Sequence, residues 1–221
     1  DSRVKSGALL VKALEETPNK VQAVISASAI GWYGPDPQVP NPAPFVETDA
    51  ADKAFLGATC KQWEEAIQPV ERIGKRLVIF RIGIVLSIDG GAYAEFKKPL
   101  HFGAAAILGT GEQVVSWIHV DDLVNLFVTA IENGKLQGVY NAVAPYPVSN
   151  KELIMEMAKS RGKFHVPFHV PSFALKMALG EMSVEVLKSA TVSADKVLGA
   201  GLTFQYPKIG DAVKALRAEA K

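Results

Sequence analysis

The amino-acid sequence predicts an α/β protein in which helices alternate with the strands of a parallel sheet. Three short apolar runs, Val21–Ile25, Arg76–Arg81 and Gly138–Ala142, are separated by segments with helical spacing. Strands of a parallel sheet are typically continuous apolar runs because helices cover both faces of the sheet. Strands that alternate with helices of about 10–15 residues indicate βαβ units.

The first part of the chain predicts a helix, a strand, a loop and a second helix. Apolar residues within 4–14 recur near helical spacing, and the strand Val21–Ile25 follows. Five prolines lie within 34–51, so this stretch is expected to be a loop at the surface or over a cleft. Helical spacing returns over 55–73, with a kink or break expected at Pro69.

The same alternation continues after the strand Arg76–Arg81. Asp89-Gly90-Gly91 is a turn signal, Asn133-Gly134 stops a helix, and Ser149 with Glu152 forms a capping box. The predicted elements are a helix over 92–98, a strand over 113–118, a helix over 121–131, a strand over 138–142 and a helix ending near 159.

The chain changes character near residue 165. Its elements become short and are interrupted by Pro167 and Pro171, with helices expected over 172–179 and 184–189. We therefore expect two parts, a larger one over 1–164 and a small, mainly helical C-terminal lobe over 165–221. The lobe is expected to cover the sheet and not to extend it.

Composition excludes several classes of protein. The 221 residues carry 24 Lys and Arg against 23 Asp and Glu, and 48% of them are hydrophobic. A mean hydropathy of +0.14 and this apolar content exclude an intrinsically disordered chain. The formal charge of +1 argues against a nucleic-acid partner. A single cysteine, Cys60, and the lack of a long apolar run predict a cytoplasmic protein with no membrane partner.

Polar side chains follow the ends of the predicted strands, where open parallel sheets bind their ligands. Ser26, Ser28 and Tyr33 follow the first strand, Lys61 lies in the next helix, and Arg81 ends the second strand. A serine hydroxyl, a phenol and an ammonium that lie together can transfer a proton. Ser26 and Ser28 also fit close strand packing, and Lys61 also fits a solvated helix surface. Arg81 fits either an anchor for a phosphate or cofactor, or an ion pair within the fold.

Other polar residues are expected to be structural. Cys60 is expected to be a buried thiol, and Glu64 with Glu65 a pair on the helix surface. His119 is expected to cap and orient a helix start, because one histidine beside two acids lacks the spacing of a metal site. No metal site is predicted.

Several motifs occur in an order that is typical of one superfamily. They are Ser26-Ala-Ser-Ala followed by Tyr33-Gly34, Cys60-Lys-Gln-Trp-Glu64, Arg81-Ile-Gly-Ile-Val-Leu86, Ser116-Trp-Ile-His-Val-Asp-Asp122 and Gly138-Val-Tyr-Asn141. The set resembles the extended short-chain dehydrogenase/reductase superfamily of NAD(P)-dependent epimerases and dehydratases. The tail, Pro171 to Met182 and Gly201 to Pro207, is similar to the C-terminal domain of its atypical branch, the epimerase family or "cell division inhibitor" proteins.

This resemblance implies a Rossmann-like sheet, NAD or NADP as cofactor, and oxidoreductase or epimerase activity on a small carbonyl or hydroxyl substrate, free or nucleotide-linked. Ser28 is implied to polarise the substrate oxygen, Tyr33 to supply a proton and Lys61 to hold the nicotinamide ribose. The remaining residues implied to contact the cofactor are Ser26, Arg81, Gly83 and Ile84.

Two departures from the family pattern support alternatives. The family begins with a strand, a glycine-rich turn and a helix, whereas this sequence begins in a helical pattern. The Rossmann-like sheet is therefore expected to be incomplete, with an open edge beside Val21–Ile25, and the sequence to belong to a longer polypeptide.

The family also has a tyrosine four residues before the lysine, where this sequence has Gly57. The alternative function is a non-catalytic protein that senses NAD(P) or binds a partner; the oligomeric state is left open.

Overall fold

The computed structural model describes residues 2–180 and 182–219, so Asp1, Glu181 (in the tail motif), Ala220 and Lys221 lie outside the described residues. The predicted alternation of helices and strands is confirmed. The described helices are α1 Ser2–Glu16, α2 Phe55–Ile67, α3 Pro69–Arg72, α4 Gly91–His101, α5 Val120–Glu132, α6 Asn150–Ser160, α7 Ser172–Leu179, α8 Met182–Leu187, α9 Asp195–Gly199 and α10 Ile209–Glu219. The break expected at Pro69 separates α2 from α3, because proline at the first position of a helix ends the preceding one.

The strands confirm a parallel sheet. They are β1 Ala23–Ala29, β2 Arg76–Ile82, β3 Ile84–Leu86, β4 Ala104–Leu108, β5 Val114–Val115, β6 Trp117–His119, β7 Gly138–Ala142, β8 Val148–Ser149 and β9 Val166–Val170. The central sheet has the order β1-β2-β7 with parallel pairing throughout. In this register Ser28 lies beside Arg81, and Ala29 beside Ile82. Strand β1 is an end strand of this sheet, as expected for the edge beside Val21–Ile25.

Smaller strand pairs extend the architecture. Strands β3 and β6 pair in parallel, and the amide of Gly83 donates to the Ala142 carbonyl at 3.1 Å, which ties this pair to the central sheet. The predicted strand over 113–118 is two strands, β5 and β6, of which β5 pairs antiparallel with β8.

The C-terminal lobe is mainly helical, as predicted, and its described residues add no strand to the central sheet, but it also contains one strand that the sequence does not predict. Its first element is strand β9, which pairs in parallel with β4 in register from Ala104 and Val166 to Leu108 and Val170. Strand β4 is not predicted by the sequence, because its run Ala104–Leu108 contains three alanines. Strand β9 is not predicted either, because it contains a proline and proline is depleted in strands.

The apolar core lies on both faces of the sheet. One cluster joins Trp117 of β6 to α4, α6 and α10, and a second packs α5 and the lobe residues Val192 and Val197 against β2 and β7. A third cluster packs α1 and α2 against Leu77 and Ile79. Among the described residues, no helix has the length and apolar character needed to cross a lipid bilayer.

The proline-rich loop over 34–51 is fixed to the lobe through Asp36. Its carboxylate accepts hydrogen bonds from the Ser189 hydroxyl at 2.7 Å, the Thr191 amide at 2.9 Å and the Thr191 hydroxyl at 2.8 Å. Phe45 of the loop also exchanges backbone hydrogen bonds with Thr191 and Ser193. These contacts hold the segment 189–193 beside the carboxyl edge of the sheet.

Candidate functional site

A cleft of about 420 Å³ opens at the carboxyl ends of β1, β2 and the start of β3. Its floor is the chain just after each strand: Ala29, Ile30 and Gly31 after β1, and Gly83 with Ile84 after β2. Helix α2 contributes Leu56, Thr59, Cys60 and Trp63, α4 contributes Ala92 and Phe96, and the lobe contributes Glu185, Val186, Lys188 and Ala190. A volume of this size is typical of small-molecule sites.

Gly83 and Ile84, two of the residues predicted to contact a cofactor, line this cleft. Gly83 has no room for a side chain, because a Cβ there would lie 2.6 Å from the Ser116 carbonyl oxygen and 2.8 Å from Val143. Its close packing lets β2 turn into β3. The floor of the cleft at this point is therefore backbone flanked by the isoleucine side chains of Ile82 and Ile84.

Ser28 and Arg81 do not line the cleft but belong to a buried ion pair beside it. The Arg81 guanidinium donates from Nε to Oε1 of Glu64 at 2.9 Å and from Nη2 to Oε2 at 3.0 Å. The Ser28 hydroxyl donates to the same Oε1 at 2.7 Å. All three residues are at most 4% exposed. Of the two interpretations of Arg81, the structure therefore shows the ion pair within the fold.

Tyr33 closes the other end of this network. Its hydroxyl donates to Oδ1 of Asn141 at 2.7 Å and accepts from Nη1 of Arg81 at 3.1 Å. Glu47, from the proline-rich loop, accepts from the Asn141 amide through Oε1 and from Arg81 through its carbonyl oxygen. Burial raises the pKa of Tyr33 to about 12, against the opposing effect of the Arg81 charge. A phenol held in this way keeps its proton at neutral pH.

The positive charge of Arg81 is stabilised within the same network. Burial opposes the charged form, but the hydrogen bond to Glu64 and then that to Tyr33 favour it, and the net effect raises the pKa of Arg81. The guanidinium also lies 3.6 Å from the centre of the Trp32 ring. A cation so fully engaged with protein groups has little left to offer a ligand.

Lys61 and Ser26 also lie apart from Ser28 and Tyr33. The Lys61 side chain is 57% exposed, and its ammonium lies 3.8 Å from the Glu65 carboxylate one helical turn away. Ser26 donates to the Ala27 carbonyl at 3.2 Å and lines a separate groove with Ser6 and Trp63. The expected convergence of Ser28, Tyr33 and Lys61 in one cleft is thus corrected: two are closed into the buried network and the third faces outward from α2.

The position of the family's tyrosine is filled by the backbone. A Cβ on Gly57 would overlap the carbonyl oxygen of Asp52 and lie 2.7 Å from its carbonyl carbon. The space beside Gly57 is therefore occupied by the end of the segment that leads into α2. No side chain fits at residue 57 without moving this backbone.

The opposite wall of the cleft comes from the C-terminal lobe, whose lining residues lie within 185–190. The proline-rich loop over 34–51 contributes Pro35, Asp36 and Val39 to a neighbouring pocket of about 380 Å³, which shares Lys188 with the cleft.

The structure confirms two structural predictions and corrects a third. Cys60 is a buried free thiol in the cleft wall, and burial raises its pKa. His119 caps α5, accepting through Nδ1 from the Asp121 amide at 3.1 Å. Glu64 does not form the predicted surface pair with Glu65, because it is buried against Arg81. The fold also brings Glu219 near His119 and Asp121, a grouping that the sequence spacing did not indicate.

The polar residues of the cleft that are not predicted from the sequence include Lys188 and Asn150. Lys188 follows α8 and its side chain is only 12% exposed, and Asn150 at the start of α6 is 1% exposed. Neither residue belongs to a motif. The burial of Glu64 could have been predicted from the sequence. Cys60, Glu64 and Ile67 form one stripe on α2 at helical spacing, and a glutamate within an apolar stripe is expected to be buried.

Two family models match parts of the chain. Residues 89–142 match the NAD dependent epimerase/dehydratase family, and residues 170–216 match a domain of unknown function, DUF1731. The second match falls within the predicted C-terminal lobe.

Curated relatives match almost the whole chain. Epimerase family protein SSP1921 of Staphylococcus saprophyticus is 34% identical over 97% of this chain and 71% of its own length. The chloroplastic SDR39U1 homologue of Arabidopsis thaliana, also an epimerase family protein, is 34% identical over 97% of this chain and 61% of its own. Among solved structures, human epimerase family protein SDR39U1 (isoform 2) with NADPH superposes with a TM-score of 0.89 at 26% identity, covering 98% of this chain and 72% of that one.

Proposed function

Because this chain belongs to the epimerase family, we propose that it forms part of a site for NAD or NADP and works without a serine–tyrosine–lysine proton relay. The matching epimerase/dehydratase family is NAD dependent, and the similar human protein SDR39U1 was solved with NADPH. The fold places a cleft where α/β sheets of this kind bind nucleotides, outside the carboxyl ends of the strands.

The cleft residues fit the nicotinamide end of the cofactor. Ala29, Gly31 and Gly83 present backbone and small side chains at the floor, which suits the approach of a flat ring. Ile82 and Ile84 supply apolar contacts on either side of Gly83. When bound, the nicotinamide ring accepts or donates a hydride.

The packing at Gly57 is the main observation in favour of a site without this proton relay. The family's proton donor stands at this position, and here the Asp52 backbone occupies the space that its side chain needs. Tyr33 does not replace it, since its hydroxyl is engaged by Asn141 and Arg81 and the residue is 0% exposed. We therefore favour a protein that binds or senses the dinucleotide.

The test is a titration of the full-length protein with NADPH, followed by assay with a panel of carbonyl substrates. We expect binding, detected as quenching of tryptophan fluorescence, because Trp63 lines the cleft. We expect no turnover that depends on Ser28 or Tyr33. The absence of NADPH binding would refute the site, and turnover abolished by Tyr33→Phe with the fold intact would refute the missing relay.

A second candidate is an oxidoreductase or epimerase that acts on a small carbonyl or hydroxyl compound, free or nucleotide-linked. The observation in its favour is the volume of the cleft, about 420 Å³, which leaves room for a small substrate beside a ring at its floor. The Cys60 thiol lines it and is the candidate for proton transfer. Turnover that survives Tyr33→Phe but is lost in Cys60→Ala would favour this function over the sensor.

A further inference from the structure

The cleft has apolar walls with few polar groups that remain available. The apolar side chains come from every element around it: Leu56, Ile82, Ile84, Phe96, Val115 and Val186. The polar residues Ser116 and Thr59 are already engaged, because the Ser116 hydroxyl donates to Ala190 and accepts from Val192, and the Thr59 hydroxyl donates to Phe55. Arg3, at the exposed mouth, stacks over Trp63 at 4.7 Å.

Lys188 is the charged group with donors to spare inside the cleft. Its ammonium lies 3.6 Å from the Glu185 carboxylate, beyond ordinary hydrogen-bond distance. Within residues 2–180 and 182–219 no group accepts a hydrogen bond from it, although an ammonium carries three donors. Its charge acts on the Cys60 thiol: burial raises the pKa of Cys60, and Lys188 is among the charges that oppose this rise.

Asn150 supplies a second free donor in the same cleft. Its side-chain oxygen accepts from the Leu108 amide at 2.9 Å, whereas its amide nitrogen donates no hydrogen bond to another group in the described part of the chain. One short segment links the two donors. The Asn150 backbone amide donates to the carbonyl of Gln113. The amide of Val114, the residue after Gln113, donates to the hydroxyl of Ser189, which directly follows Lys188.

We propose that this cleft binds a small ligand with an apolar body and a single carboxylate, which the Lys188 ammonium and the Asn150 side-chain amide hold. This ligand proposal rests on the proposed function only in that both use the same cleft. The apolar walls take up the body of the ligand, since burial of apolar surface is the main source of affinity. A polyhydroxylated sugar would leave most of its hydroxyl groups facing hydrocarbon, which is costly.

Glu185 explains why the anion should carry one charge. Its carboxylate lies near Lys188 on the same wall, so a doubly charged phosphate would be repelled more strongly than a carboxylate. The three charged residues that line the cleft, Arg3, Lys188 and Glu185, leave one positive charge in excess. A monoanion balances this charge.

The experiment compares 4-phenylbutyrate with the uncharged 4-phenylbutyramide by calorimetry on the full chain, without NADPH. We expect the carboxylate to bind about tenfold more tightly than the amide, as a charge-assisted hydrogen bond provides. In Lys188→Met this preference should disappear while binding of the amide is unchanged. Lys176→Met, which removes a lysine on the exposed face of α7 in the same lobe, is the matched control and should retain the preference.

A second variant keeps the test independent of any folding defect in the first. Glu185→Gln removes the competing charge, so it should tighten binding of 4-phenylbutyrate and leave the amide unaffected. Equal binding of the two probes by the natural protein, no binding of either, or a preference that survives Lys188→Met would overturn the proposal. Tighter binding of phenyl phosphate than of the carboxylate would overturn the choice of a monoanion. Because no step uses NADPH, failure of the dinucleotide site would be seen separately.

Discussion

The ion pair between Arg81 and Glu64 provides the most direct test of the buried network. In Arg81→Met the apolar stem is kept and the guanidinium is removed. Glu64, which is 4% exposed, would then keep only the Ser28 hydroxyl as a side-chain donor. Tyr33 and the Glu47 carbonyl would each lose a hydrogen bond, and Trp32 its stacked cation.

The magnitude follows from the burial of the partner left behind. Removal of one partner of a buried ion pair costs about 3–5 kcal/mol, because the remaining charge stays desolvated. In a chain of this size each kcal/mol lowers Tm by about 2–4 °C, so we expect a fall of about 6–20 °C. In the double variant Arg81→Met/Glu64→Gln the stranded charge is removed as well, and stability should recover by about 1–3 kcal/mol.

The assay is urea denaturation followed by tryptophan fluorescence and by far-UV circular dichroism. Trp32 reports on the network directly, because its ring contacts Arg81. A loss below about 1 kcal/mol in Arg81→Met, the range of exposed ion pairs, would refute the view that this pair is desolvated. A double variant no more stable than the single one would refute the explanation by a stranded carboxylate.

Three further outcomes are expected. Gly57→Ala should lose about 1–3 kcal/mol in thermal unfolding because its Cβ meets the Asp52 backbone, whereas Gly134→Ala, with open space around it, should change stability little. Absorbance titration should show a tyrosine that ionises near pH 12 and that is absent in Tyr33→Phe. Because the pKa of Tyr33 in the folded protein lies above its ordinary value of 10, the stability that its neutral form contributes is full below pH 10 and is lost as pH rises towards 12. Lys61→Met should alter stability by less than about 0.5 kcal/mol, because its pair with Glu65 is exposed.

The sequence predicted the sheet because its strands have a strong signal. The runs that became β2 and β7 are apolar and bounded by turn residues, and both were placed within a residue of their observed ends. The start of α6 at Ser149 was equally clear, since its side chain accepts from the Glu152 amide as a capping box requires. Local chemistry was sufficient for these elements.

Elements stabilised only by distant contacts could not be predicted. Strand β9 contains Pro167 and is largely exposed, and it is a strand because β4 pairs with it. The packing at Gly57 likewise depends on where Asp52 lies, which no periodicity reports. Lys188 lies in the cleft because Asp36 binds Ser189 and Thr191, residues more than 150 positions away in the chain.

Strand alternation explains why the predicted catalytic group and the observed cleft separate. Ser28 and Arg81 are neighbours across β1 and β2, and so are Ala29 and Ile82, one residue further on. Successive side chains of a strand point to opposite faces, so the first pair enters the network with Glu64 while the second lines the cleft. The prediction that Ser28 and Arg81 lie in the cleft considers only that they stand at strand ends and leaves this alternation out. Chemistry in the cleft must therefore come from side chains outside the strands, and among the described residues that line it those with polar groups include Thr59, Asn150 and Lys188.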